Sequence, residues 1–429
     1  MRALFVWMLH VRMARQSLAL PVPRCHASGR ARLCRAIHGQ KISSAVPTAC
    51  RYRNLVSSPQ NIPVPQQARG IIDRYRAFLP VSDATPIIAL GEGNTPLIHS
   101  PRLSEMVGRD CDVFIKYEGL NPTGSFKDRG MTVAVSKAME HKARALICAS
   151  TGNTSASAAA YAARAGIPAI VILPAGKIAS GKLVQAVAYG ARIVAIDGNF
   201  DDALRLVREL GSGGDFAVVN SINPDRIAGQ KTAAYEIVDA LGDAPRLHIL
   251  PVGNAGNVTA YWAGYRDYAQ AGKATQTPVM LGFQAAGSAP IFYDKVIEHP
   301  ETIASAIRIG NPASWKSARA AFEESAGAVD IVRDEQILEA QSWLARSEGI
   351  FVEPASAASI AGLFKCCRET DARYSLKNIA AGSRIVCTVT GHGLKDPDPF
   401  LDRLAELKPV PARIDDILEV IDLSSEQLS

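Results

Sequence analysis

The run Gly-Ser-Phe-Lys-Asp-Arg-Gly at residues 124–130 sets an amine, Lys127, beside glycines that permit a sharp turn. Two Gly/Asn-rich loops follow it, Ser-Thr-Gly-Asn-Thr-Ser at 150–155 and Gly-Asn-Ala-Gly-Asn at 253–257. An amine forms an imine with an aldehyde, and a string of backbone N–H groups at a helix N-terminus holds a dianionic phosphate. Taken singly each signal is weak: a lysine near a glycine is usually a solvated surface residue, and a Gly-x-x-Gly loop is usually a turn. All three runs, however, fall where an apolar stretch ends and a helical pattern begins, the place where open α/β sheets bind ligands.

That placement rests on periodicity. From Asp73 onward, short Val/Ile-rich runs at 113–117, 145–149, 169–173, 192–196, 217–220, 247–252, 279–284 and 385–389 predict strands. Between them, 127–142, 154–165, 182–189, 201–210, 229–241, 257–271 and 356–368 carry helical spacing. Repeated alternation with buried-type strands predicts an α/β fold of open, mainly parallel sheets with flanking helices.

Length and composition bound the rest. A chain of 429 residues that is 48% apolar can bury ample core. Residues 1–72 hold eleven of the 47 basic residues and none of the 41 acidic ones, so the net charge of +6 describes the head and the body is acidic. A basic nucleic-acid surface on the body is therefore not expected. The head, 1–65, reads either as an organellar transit peptide or as upstream sequence from a start codon called too early, and is expected to be disordered. Its apolar stretch at 3–11 is too short for a bilayer, so no membrane insertion is expected. The eight cysteines lack Cys-x-x-Cys spacing, which indicates neither zinc nor a disulfide framework. A reducing cytoplasm is the simplest context, an organelle the alternative. Cys148, inside an apolar run, is expected in the core.

Pyridoxal 5'-phosphate presents both an aldehyde and a phosphate, and the chain resembles the threonine synthase family of fold-type-II, tryptophan-synthase-beta-like pyridoxal-phosphate enzymes. The matching stretches are Leu-Gly-Glu-Gly-Asn-Thr-Pro-Leu (90–97), Asn-Pro-Thr-Gly-Ser-Phe-Lys-Asp-Arg-Gly (121–130), Ala-Ser-Thr-Gly-Asn-Thr (149–154), Val-Asn-Ser-Ile-Asn-Pro-Asp-Arg (219–226), Pro-Val-Gly-Asn-Ala-Gly-Asn (251–257) and Thr-Val-Thr-Gly-His-Gly-Leu-Lys-Asp-Pro (388–397). The resemblance implies a two-domain enzyme, with a large cofactor domain from 66–120 and 216–429 and a smaller mobile domain at 121–215. It implies a lyase that converts O-phospho-L-homoserine and water to L-threonine and phosphate, and the expected assembly is a homodimer. The rivals are a threonine/serine dehydratase-like enzyme and a non-catalytic pyridoxal-phosphate-binding protein.

By the same resemblance, Lys127 carries the cofactor and, once freed, is the base for the substrate's Cα proton. It needs a neutral amine, and Phe126 with Arg129 could lower its pKa. Gly253, Asn254, Ala255, Gly256 and Asn257 cradle the cofactor phosphate, Asn153 meets its 3'-oxygen, and Thr390 meets the pyridine nitrogen, with Thr388 as competitor. Ser150, Thr151, Gly152 and Thr154 suit a substrate carboxylate, although Asn153 or Thr154 could equally be plain helix caps. Asn220, Ser221 and Arg226, with Lys182 as a weaker candidate, are implied to bind the substrate phosphate together with Thr154 and Asn254; Arg226 offers the planar fork that phosphate recognition favours. Trp262, Trp315, Trp343, Glu353 and His392 are read as structural.

Overall fold

The computed structural model describes residues 70–150, 152–175, 180–368, 372–405, 409–414 and 416–417. All of them fall in one compact unit, Pro63–Ser429. The 1–65 extension, Thr151 and the Lys182 side chain lie outside the described residues.

Among the described residues ten strands form two sheets. The six-stranded sheet runs in the order β1 (Leu97–His99), β2 (Asp112–Tyr117), β10 (Arg384–Val389), β7 (Leu247–Pro251), β8 (Val279–Ala285) and β9 (Ala328–Val332). The four-stranded sheet runs β5 (Arg192–Ile196), β4 (Ala169–Pro174), β3 (Ala145–Ala149) and β6 (Phe216–Val218). Every pairing is parallel except β1 with β2. Parallel strands covered by helices on both faces must be apolar throughout, and β3 and β7 are buried at every position. The expected α/β architecture is the observed one.

Two strands escaped the sequence reading for different reasons. β1 has three residues and lies at the sheet edge, too short for a period. β9 carries Asp330 in its middle, a polar break that the fold satisfies with Lys365 Nζ at 3.1 Å. The smaller sheet includes Phe216–Val218 through its pairing with β3, so the expected boundary after residue 215 cuts through that sheet.

The helix Pro224–Leu241 begins five residues before the expected 229, because Asn223 caps it through Oδ1, which accepts from Asp225 N and Arg226 N, and Pro224 opens its first turn. Arg226 thereby sits in the first turn. This helix crosses Lys127–Glu140 with almost no side chain between the backbones. A Cβ added to Gly229 would lie 2.0 Å from the Arg129 carbonyl oxygen, and one at Gly130 would lie 2.7 Å from that of Arg226. The two glycines therefore set the approach that brings the Lys127 and Arg226 turns together.

Beneath this crossing lies a balanced cluster of buried charge. Arg129 donates from Nε and Nη2 to Glu118 at 2.7 and 2.8 Å, and from Nη1 and Nη2 to Glu236 at 2.9 and 2.6 Å. Lys116 Nζ donates to Glu236 Oε2 at 2.8 Å. Two cations meet two carboxylates, and the neighbouring guanidinium and ammonium hold Glu236 well below the ordinary carboxylate range despite its burial.

Candidate active site

Lys127 is the first residue of its helix, after Phe126 in right-handed helical backbone. The preceding turn is stitched to the segment after β10: Phe126 N donates to Thr390 O at 3.0 Å, and His392 N to Gly124 O at 2.9 Å. This pairing, not sequence proximity, sets Thr390 beside the lysine. Lys127 Nζ stands 4.0 Å over the Phe126 ring and has no hydrogen-bond partner among the described residues. Its pKa is lowered to about 7, first by desolvation and then by the Arg226 cation, with Glu353 opposing. The source expected from sequence is corrected here. Arg129 is spent on Glu118 and Glu236, and the ring face of Phe126 attracts an ammonium ion and does not depress it.

The loop after β7 is a backbone cradle. Ala255 adopts left-handed backbone at φ 64° and precedes the helix Gly256–Gln270 without any side-chain cap, leaving the first-turn amides free for an anion. A side chain at Gly253 would crowd the neighbouring segment, since a Cβ there would lie 3.0 Å from Ile307 Cα. The asparagines brace the loop: Asn257 Nδ2 donates to Pro251 O at 2.6 Å, and Asn254 Oδ1 accepts from Ala313 N at 3.3 Å.

A second uncapped N-terminus opens the helix Asn153–Ala165. Its N-cap is Gly152, with no side-chain cap, so neither Asn153 nor Thr154 plays the capping role that was the plain alternative. Ser150 Oγ accepts from Gly152 N at 3.3 Å, and a Cβ added to Gly152 would point into open space. Asn153 Nδ2 donates to both carboxylate oxygens of Glu353, at 2.9 and 3.1 Å.

Thr390 and Thr388 separate clearly. Thr388 Oγ1 is bonded to His248 Nε2 at 2.8 Å inside the core, where burial pushes the histidine down to about 3 and keeps it neutral. Thr390, just past the strand, meets Ser356 Oγ at 2.9 Å, and that hydroxyl also accepts from Thr390 N and Gly391 N.

The expected second anion site is uneven. Asn220 uses its amide on the end of β3, accepting from Ala149 N at 3.1 Å and donating to Ala149 O at 2.9 Å. Ser221 is partly exposed. Arg226 is 1% exposed, donates from Nη1 to Val219 O at 2.9 Å, and leaves Nε without a partner. No carboxylate pairs with it among the described residues, and desolvation lowers its pKa to about 10.

Glu353 and Ser356 are the site residues that the sequence reading missed. Glu353 does support a helix start, since its carbonyl accepts from Ser356 N at 2.9 Å, but its buried carboxyl also reaches Asn153. No local sequence signal marks this contact; Gly391 makes room for it, since a Cβ there would lie 2.3 Å from Glu353 Oε1. Other residues read as structural have structural partners. Trp262 Nε1 donates to Glu324, Trp343 packs edge-on to Phe364, and His392 Nδ1 accepts from Leu394 N. Cys148 lies in the core, its thiol pushed up to about 12 by burial.

A near-neutral amine, an uncapped helix N-terminus with small residues, and a hydroxyl at Thr390 fit an aldehyde-bearing, phosphorylated pyridine. Among the described residues no group of His, Cys, Asp or Glu could hold a metal, and no helix is long and apolar enough to cross a membrane.

Residues 88–391 match the family described as pyridoxal-phosphate dependent enzyme. The chain is 59% identical over 330 residues to a threonine synthase of Synechocystis, covering 77% of this chain and 84% of that one. It is 57% identical over 357 residues to the threonine synthase of Mycobacterium leprae, covering 82% of this chain and 96% of that one. Maize serine racemase shares the fold at a TM-score of 0.62 and 21% identity, covering 75% of this chain and 95% of that one. The chain belongs to the threonine synthase family of pyridoxal-phosphate-dependent enzymes.

Proposed function

We propose that this chain converts O-phospho-L-homoserine and water to L-threonine and phosphate, with Arg226 as anchor of the substrate phosphate. The observation that carries the reading is the buried, unpaired Arg226 guanidinium beside Lys127. An isolated buried cation costs several kcal/mol, so a fold that keeps one is built to receive an anion. A dehydratase on the same scaffold has no second phosphate to hold.

Lys127 would carry the cofactor, the Gly253, Asn254, Ala255, Gly256 and Asn257 amides would face its phosphate, and Asn153 and Thr390 would meet its ring. When bound, the cofactor supplies an electron sink that acidifies the substrate's Cα and Cβ protons. With a pKa of about 7, Lys127 Nζ can take a proton from Cα and return one. The uncapped turn at Gly152, flanked by Ser150, Thr151 and Thr154, suits the substrate carboxylate. Arg226, with Ser221, Thr154 and Asn254 as its proposed partners, would hold the phosphate while a Cβ proton is lost and the Cγ–O bond breaks with its electron pair leaving on phosphate. Cγ then gains a proton, and the water's hydroxyl adds at Cβ as its proton is taken up. Asn220, whose amide is engaged with Ala149, would shape this site from behind. The released phosphate, with a second pKa of about 6, could serve as base for that water. We also propose a homodimer, and movement of the smaller sheet against the larger as substrate binds.

The test is simultaneous assay of phosphate release and threonine formation from O-phospho-L-homoserine. Equal amounts of both support the reading; phosphate release without threonine would sink it.

A further inference from the structure

Glu353 is 3% exposed and stands at the meeting of three elements: the start of the helix Pro354–Arg368, the start of the Asn153 helix, and the turn after β10. Its carboxylate oxygens take the Asn153 amide, and Gly391 clears the space for them. The charged groups that face it are Asp396 and Lys395 from the turn after β10 and Lys127 from the helix opposite. Desolvation raises its pKa to about 7, the Asn153 hydrogen bond opposes, Asp396 adds to the rise, and Lys395 and Lys127 counter it. Lys127 thus feels two groups of opposite sign, Arg226 disfavouring its charged form and Glu353 favouring it.

We propose that Glu353 is a positioning residue of this site: its two hydrogen bonds fix the Asn153 amide, and its charge favours the protonated form of Lys127 against the Arg226 cation. The inference rests on the proposed role of Lys127. Protonation of Glu353 removes the one carboxylate acting on Lys127, so the amine releases its proton more readily; ionisation of Glu353 tightens it again. The two groups titrate as a coupled pair in the neutral range. Protonation of Glu353 turns one of the two acceptors of the Asn153 amide into a hydroxyl, a weaker acceptor.

The test uses the full chain and reads Lys127 directly. In cofactor-free protein, the pH dependence of Lys127 acetylation by acetic anhydride, followed by peptide mass spectrometry, gives the amine's apparent pKa. Glu353→Gln keeps the side chain's size and an acceptor for Asn153 but removes the charge. It should shift that pKa down by about one unit, and the acid limb of kcat/KM in the holoenzyme should move the same way. Glu353→Asp keeps the charge and shortens the reach; it should leave the Lys127 pKa close to wild type while weakening cofactor binding through Asn153. A Lys127 pKa unmoved in Glu353→Gln overturns the inference. If Glu353→Gln does not fold, Glu353→Asp decides, since loss of the wild-type Lys127 pKa there also overturns it. Borohydride fixation of the cofactor on a lysine other than Lys127 would instead sink the proposed function itself.

Discussion

Arg129 and Arg226 stand on two helices that touch backbone to backbone, and both are almost wholly buried, at 0% and 1% exposure. Their electrical surroundings are opposite. Arg129 spends its guanidinium on Glu118 and Glu236, beside Lys116, in a cluster whose charges cancel. Arg226 has one carbonyl and no carboxylate among the described residues. Burying charge is expensive, and a fold closes the account internally wherever the charge serves only the fold. Where it does not, as we propose for Arg226, the missing partner is a ligand, and the unpaired cation adds to the desolvation that lowers the pKa of the neighbouring amine Lys127.

The largest expected effect lies on the uncompensated side. Lys127→Ala should lower kcat by roughly a thousand-fold or more and abolish borohydride fixation of the cofactor, with unfolding little changed. Substantial residual turnover would move the chemistry to another group.

The two arginines should then part in stability. Arg129→Met leaves Glu118 without its cation and Glu236 with Lys116 alone, and should cost about 3 to 5 kcal/mol in urea unfolding. Arg226→Met removes a charge that nothing pairs, and should stay within about 1 kcal/mol of wild type or exceed it. Equal losses would break the comparison.

Inorganic phosphate supplies a smaller test. It should stabilise the holoenzyme by roughly 1.4 kcal/mol at ten times its Kd and have no such effect on Arg226→Met, as read by thermal unfolding. Stabilisation retained in the variant would place the ion elsewhere.

The smallest effect is on stability against pH in the cofactor-free chain. The folded pKa of Glu353 is raised to about 7, so its contribution is fully present below its unfolded value near pH 4.3 and is lost as pH rises through 7. Lys127 is depressed to about 7, so its contribution is present above its unfolded value near 10.4 and is lost as pH falls through 7. Glu353→Gln should flatten the first slope and carry the second about one unit further toward acid; both slopes surviving unmoved would show that other groups produce them.

The sheets were legible because buried parallel strands must be apolar at successive positions, and runs such as Ala145–Ala149 announce themselves. The turns that carry Lys127 and the 253–257 loop were legible because the backbone geometry they need leaves glycine and asparagine in fixed order, whereas Arg226 was singled out by resemblance. What escaped depends on tertiary crossing. Glu353 is read locally as a helix start and reaches Asn153 from 200 positions away, and the cation that tunes Lys127 is not its neighbour Arg129 but Arg226, delivered by the Gly130 and Gly229 contact. The early start of the Pro224 helix was available in Asn223-Pro224, a cap signal outweighed by the weak apolar pattern of its first turn.

The most direct test of the account is kcat/KM of Arg226→Met for O-phospho-L-homoserine, measured beside its visible cofactor absorption and its slow deamination of L-threonine. Loss of a buried charge-assisted phosphate contact should lower kcat/KM by roughly thirty-fold to a thousand-fold, with the absorption intact and deamination changed no more than about threefold. Equal losses on the phosphorylated and unphosphorylated substrates, or a lost cofactor band, would make Arg226 a support of the fold and contradict the claim.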